Sequence, residues 1–271
     1  MLKEVTTIPI SLIFVMILTV LIHASDTLSY SIRYAGVRVG KYAVALSLSG
    51  IVVLVSRTSN LIQAPITGNM VDEARDNMDY PIEAYFRMIL GASSIGTIIA
   101  IILFPTAVFI AARLIARFEE AGSIPRLMTT VGFNQIKSAK SLIKAPTFRM
   151  LSSLRIYGIP KRLLLLNCFV TAIFTTGVMS SLYASFLNSE NSMAASQASG
   201  LINGIATIIL TIIIDPKIAL LTDKALKNEK EKTRLGKVFG LLMISRLAGT
   251  LLAQLVFLPA SYWIYWIVGF I

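Results

Sequence analysis

The chain has 271 residues, of which 55% are hydrophobic and only 14% charged, and a formal net charge of +11. Soluble domains carry about 25% charged residues, so this composition excludes an ordinary water-soluble fold. The positive excess is spread over the connections between apolar stretches, which argues against a nucleic-acid surface and for anionic membrane lipids as partners.

Six apolar stretches follow one another, at 5–25, 42–66, 84–112, 163–187, 198–214 and 238–263. About 20 apolar residues in an α-helix cross the hydrocarbon of a bilayer. The expected fold is all-α, a polytopic integral membrane protein with six transmembrane helices forming one membrane domain over residues 1–271. Stretch 1 begins with Lys3 followed directly by Glu4, not with the basic start of a cleaved leader, so it reads as a retained span.

The segment 23–41, HASDTLSYSIRYAGVRVGK, mixes His23, Asp26, Arg33 and Arg38 with apolar residues. It reads either as a cytoplasmic loop or as a polar extension of span 1. In the second case it lines a cavity and presents Arg33 and Arg38 to an anionic headgroup. Asp26 and Arg33 are seven apart, hence on one helical face. His23 reads as a hydrogen-bonded structural histidine rather than a proton carrier.

In span 2, Arg57 is the only charged residue between Tyr42 and Val71. An Arg at a helix centre costs about 2.5–3.5 kcal/mol on insertion scales, so Arg57 is expected to face the bundle interior or a polar cavity. Asn60 and Gln63 continue its side of the helix. With them it forms a candidate pocket for phosphate oxygens, which a planar guanidinium fork matches. The competing readings are a structural ion pair and snorkelling. Asp72, beyond Pro65, is a candidate gating carboxylate at the outer end.

Span 3 has a run of small residues, Gly91 to Gly96, suited to close helix packing. In the long connection after it, residues 128–141 read as an amphipathic helix. Lys137, Lys140 and Lys144 share a face there, so segment 116–160 is expected to lie on the inner leaflet. Asn167 and Asn203 in spans 4 and 5 are candidates for interhelical hydrogen bonds, and Cys168 for a packing role. Asp215 precedes Pro216, which predicts a helix end. It reads as an interfacial carboxylate, or as one coupled to Arg246, a proton or a cation. Arg246 itself can face the interior or snorkel. The mixed run 227–234, KNEKEKTR, reads as solvated, and Tyr262, Trp263, Tyr265 and Trp266 as an aromatic belt.

One His and one Cys, far apart, leave no metal cluster to expect, and no cofactor is implied. No glycine-rich nucleotide motif or Ser/His/Asp grouping is legible, so neither a nucleotide nor an enzyme is expected.

The 25 Lys and Arg are sorted by connection. Three lie between stretches 1 and 2, ten between Arg113 and Arg162, and seven between Lys217 and Lys237. Only Lys3, Arg75 and Arg87 fall on the other side. Short basic loops stay in the cytoplasm, so both termini are expected outside. A shift of 151 residues superposes Ile8-Pro9 on Ile159-Pro160, Pro65 on Pro216 and Asp72 on Asp223. This suggests two inverted three-span repeats, 5–115 and 156–271, a pattern of alternating-access transporters.

The run 25–72, SDTLSYSIRYAGVRVGKYAVALSLSGIVVLVSRTSNLIQAPITGNMVD, resembles the Amj family, the alternative lipid II flippases of bacteria. The resemblance implies a protein of the cytoplasmic membrane that moves the undecaprenyl-diphosphate-linked peptidoglycan precursor to the outer leaflet for cell-wall synthesis. It supplies no residue list. From the residues themselves, Arg57, Arg33, Arg38, Asn60, Gln63 and Arg246 are the candidate headgroup contacts. Asp26, Asp215 and Asp72 are the candidate coupling or gating carboxylates. Two other classes stay open: a secondary transporter of a small anion or drug, and an intramembrane lipid-modifying enzyme using Asp26 with His23.

Overall fold

A computed structural model describes residues 8–121 and 159–270. The amphipathic helix expected at 128–141 lies outside the described residues. Among the described residues, six helices are long and apolar enough to cross a membrane, making this a multi-pass all-α membrane protein. They are α1 (Ile10–Val39), α2 (Tyr42–Asp76), α3 (Ile82–Ala121) and α4 (Lys161–Leu187), then a composite fifth span, and last α8 (Glu229–Val268). The fifth span runs through α5 (Ser192–Gln197), α6 (Ser199–Ile209), a π-helical turn (Leu210–Ile214) and α7 (Asp215–Lys227).

Several helices outrun the apolar stretches that nucleate them. α1 continues through the polar segment to Val39, so the loop reading of 23–41 is wrong and the helical extension is right. It stops at Gly40, whose φ of 73° is open to glycine and reverses the chain directly into α2. The expected helix end at Asp215-Pro216 is absent. The backbone stays helical because the wider π turn just before Pro216 accommodates the missing proline N–H. Pro65 likewise sits inside α2, not at its end. The run KNEKEKTR contributes the first turns of α8, whose start is capped by the Asn228 side chain accepting from the Lys230 N–H.

α1 packs along both α2 and α3, and α4 packs along α8 and, less extensively, α6. α3 and α8 meet in the middle and join the two groups. Small residues make these approaches possible. A Cβ on Gly96 would strike the Val20 carbonyl of α1, and one on Gly249 would strike the Cys168 carbonyl of α4.

The interior is layered. One apolar cluster, with Leu12, Val15, Met70, Phe86, Tyr183 and Phe257, fills the end that carries the acidic α2–α3 connection. Another, with Val37, Leu163, Ile214, Val238 and Phe239, fills the basic end. Between them lies a polar layer. Its interhelical bonds run from Thr19 Oγ1 to Gln63 Oε1 at 3.2 Å and from Ser94 Oγ to Thr250 Oγ1 at 3.0 Å. Asn167 Nδ2 also donates to the Leu242 carbonyl at 3.0 Å and to Ser245 Oγ at 2.6 Å, the bond expected of it. Asn203 makes no such bond; its Oδ1 is buried without a partner, against Gly177.

Candidate functional site

Because α1 is unbroken, His23, Asp26, Tyr30 and Arg33 fall at steps of three and four and share one face. That face meets α8 and the fifth span. Asp26 Oδ2 lies 3.9 Å from Arg246 Nη2, and the Arg246 guanidinium sits 5.9 Å from the centre of the Tyr30 ring. Asp215, at the start of α7, is exposed and forms no ion pair among the described residues. The sequence left Arg246 undecided between interior and interface; the fold turns it inward, where Asp26 rather than Asp215 is its ion-pair partner. Side chains of Asp26 and Arg246 keep 33% and 18% of their exposure, so this charged cluster is not sealed. Among the described residues, Arg246 Nε, Arg33 Nε and His23 Nδ1 are all buried without a hydrogen bond.

Arg57 is placed differently from the expectation. The α1–α2 seam is made by Ser49, Ser56, Ser59, Gln63 and Thr67, which are buried, while Arg57 is exposed and off that seam. It forms no hydrogen bond or ion pair among the described residues. Its depth is nevertheless defined. Gly36 abuts Ala45 and Thr19 bonds Gln63 across the antiparallel α1–α2 pair, so Arg57 stands level with the His23–Asp26 turn. Asn60 beside it is exposed and donates to the Ser56 carbonyl at 3.2 Å. Gln63 is committed to the helix seam through Thr19. Arg38 is exposed near the basic end of α1. Asp72 is far from all of these, exposed at the opposite end and 3.6 Å from Arg75.

That opposite end carries contacts the sequence reading missed. Arg87 Nη1 donates to the Gln254 carbonyl at 3.2 Å, and Gln254 Nε2 donates back to the Arg87 carbonyl at 2.9 Å. Arg87 also pairs with Glu83 at 2.9 Å, and Glu83 accepts from the Tyr183 hydroxyl at 3.4 Å. Arg75 donates to the Ser185 carbonyl. These bonds join α2 and α3 to α4 and α8. An amphipathic signal was available only for Glu83–Arg87, an i, i+4 pair; the partners on α4 and α8 are nonlocal.

A shallow apolar groove of about 360 Å³ lies elsewhere, lined by Ile173, Ile205, Pro259 and Trp263 among others, with no charged residue in its wall. The charged side chains that approach one another inside the bundle lie instead between α1 and α8. Among the described residues, no group of His, Cys, Asp and Glu is arranged to hold a metal.

Comparison with known proteins gives consistent results. The family model Amj, described as "Alternate to MurJ", matches residues 18–268. The chain is 40% identical over 257 residues to a protein of Bacillus subtilis (strain 168) named lipid II flippase Amj, covering 94% of this chain and 96% of that one. No solved structure matches. A match that runs from Leu18 in α1 to Val268 at the end of α8 takes in the whole charged cluster, and the chain belongs to the Amj family.

Proposed function

We propose that the protein is a lipid II flippase of the bacterial cytoplasmic membrane. It moves the undecaprenyl-diphosphate-linked disaccharide-pentapeptide from the inner to the outer leaflet and makes no chemical change to it. The observation that carries this reading is the near-complete match to a relative named for that activity. The physical problem agrees with the residues. A diphosphate and a large polar head must pass hydrocarbon, while the polyprenyl tail can stay in lipid. Cationic groups at the depth of the bilayer lower the barrier for the first task. Arg33, Arg246 and Arg57, with Arg38 nearer the basic end, line such a path.

Both termini face outside in this reading and the basic connections face the cytoplasm, as the partition of Lys and Arg supports. The two halves form inverted repeats. Pro9 and Pro160 occupy the same position before α1 and α4. The first helix of each half packs along the third, and each third helix offers a glycine (Gly96, Gly249) to a carbonyl of the first. The outer end is stitched by direct hydrogen bonds through Arg75, Glu83, Arg87, Tyr183 and Gln254. The inner end is joined by apolar packing, with Tyr30 and Val37 of α1 clustered with Val238 and Phe239 of α8.

The test is outer-leaflet labelling of lipid II in cells that depend on this protein for cell-wall synthesis. Depletion should trap lipid II inside and stop growth. Continued labelling after depletion contradicts the reading. Uptake of a soluble anion or drug that follows protein level, with lipid II labelling unchanged, would instead support a small-molecule transporter.

A further inference from the structure

We propose that Asp26 is a built-in stand-in for the substrate's diphosphate, and that substrate binding works by counter-ion exchange at Arg246. The inference rests on the lipid II reading and specifies how the headgroup site is regulated. Arg33 lies two turns along the face of α1 that carries Asp26, and Arg246 of α8 enters the helix interface with the Asp26 carboxylate as its partner. Buried charges need such partners.

Asp26 does not use up the arginines. A guanidinium has five N–H donors. The Asp26–Arg246 contact, at 3.9 Å, is at the long edge of an ion pair. Among the described residues, Arg246 Nε and Arg33 Nε are buried with no acceptor, and His23 Nδ1, one turn before Asp26 on α1, is also unpaired. A diphosphate carries more oxygens and more charge than one carboxylate, and fits two guanidinium forks at once. It fills the donors that Asp26 leaves empty. Partial exposure of Asp26 and Arg246 gives it access.

The exchange also has a mechanical consequence. Asp26 ties α1 to Arg246 of α8. This contact joins the first half of the chain to the second at the basic side of the polar layer. When the diphosphate takes Arg246, the carboxylate is released and the halves lose this tie. The substrate thereby favours the conformation in which the inner ends rearrange, through its differential contacts with the two states.

The test uses full-length protein in detergent with two probes, undecaprenyl diphosphate and inorganic diphosphate, and undecaprenol as the uncharged control. Asp26→Asn removes the internal competitor and keeps the shape, so undecaprenyl diphosphate should bind several-fold more tightly than to wild type. Arg246→Ala should weaken binding about tenfold or more, the loss of a hydrogen bond to a charged group. The charge-exchanged double variant Asp26→Arg, Arg246→Asp should keep the fold and lose the binding. Inorganic diphosphate should follow the same order at lower affinity. If wild type binds undecaprenyl diphosphate but Asp26→Asn does not bind it more tightly, counter-ion exchange is wrong while the flippase reading stands. If wild type binds it no better than undecaprenol, both fail.

Discussion

Gly96 of α3 lies directly against the main-chain carbonyl of Val20 in α1, with no room for a Cβ between the two helices. Gly249 of α8 has the same relation to Cys168 of α4. Without a hydrophobic driving force between helices in lipid, such close packing is a main source of association. Gly96→Ala and Gly249→Ala are each expected to destabilise by about 1–3 kcal/mol through overpacking. Gly68→Ala in α2 meets nothing within 4 Å and should be neutral or stabilise by about 0.5–1 kcal/mol through helix propensity. Unfolding in mixed detergent micelles compares the three. Equal effects at Gly96 and Gly68 would refute the packing argument.

Asn167 makes polar bonds between α4 and α8, donating to both Leu242 and Ser245. Intramembrane hydrogen bonds are worth about 0.6 kcal/mol on average and about 1.7 at most. Asn167→Leu should therefore cost less than Gly249→Ala, although both lie on the same interface. The same unfolding assay decides the order.

The orientation can be read by labelling. Met78, 93% exposed between α2 and α3, and Lys227, exposed before α8, should lie on opposite faces of the membrane. After Cys168→Ser, an impermeant thiol reagent applied to intact cells should label Met78→Cys and leave Lys227→Cys unreacted. The reverse pattern inverts the topology.

The number and type of spans were legible because an apolar run of bilayer length is a local signal. The ends of α1, α2, α3 and α8 were not. Polar turns such as Asp26 to Arg38 stay helical when neighbouring helices shelter one face, which only the packed bundle reveals. Asp215-Pro216 misled for the same reason, since a π turn five residues long absorbs the proline. Shared faces along one helix, such as Asp26 with Arg33, followed from the 3.6-residue period. Partners across helices, Asp26 with Arg246 and Arg87 with Gln254, depend on long-range register and could not be read. Arg57 shows the limit of an insertion argument. The cost of burying a charge says that the residue needs a polar surrounding, not which side of its helix provides one.

Arg57 separates transport from folding. It is exposed and has no partner among the described residues, so Arg57→Ala should leave expression and unfolding unchanged. As a proposed headgroup contact level with Asp26, it should be needed for growth of cells that depend on this protein. Arg57→Lys should be partly active at best, because Lys lacks the planar fork. Full growth with Arg57→Ala at matched protein level would remove Arg57 from the headgroup path.

Transport of the lipid II headgroup across a bilayer can be followed in vesicles of bacterial phospholipid containing headgroup-labelled lipid II, with and without the purified full-length protein. An impermeant reagent in the outer solution reports how fast inner-leaflet headgroups become reachable. Wild type should bring the inner pool to the surface far faster than protein-free vesicles. Arg246→Ala should slow it at equal protein density, and a water-soluble headgroup without the polyprenyl tail should not be moved. Exposure no faster than in protein-free vesicles, with the protein shown to be folded and inserted, would contradict the account.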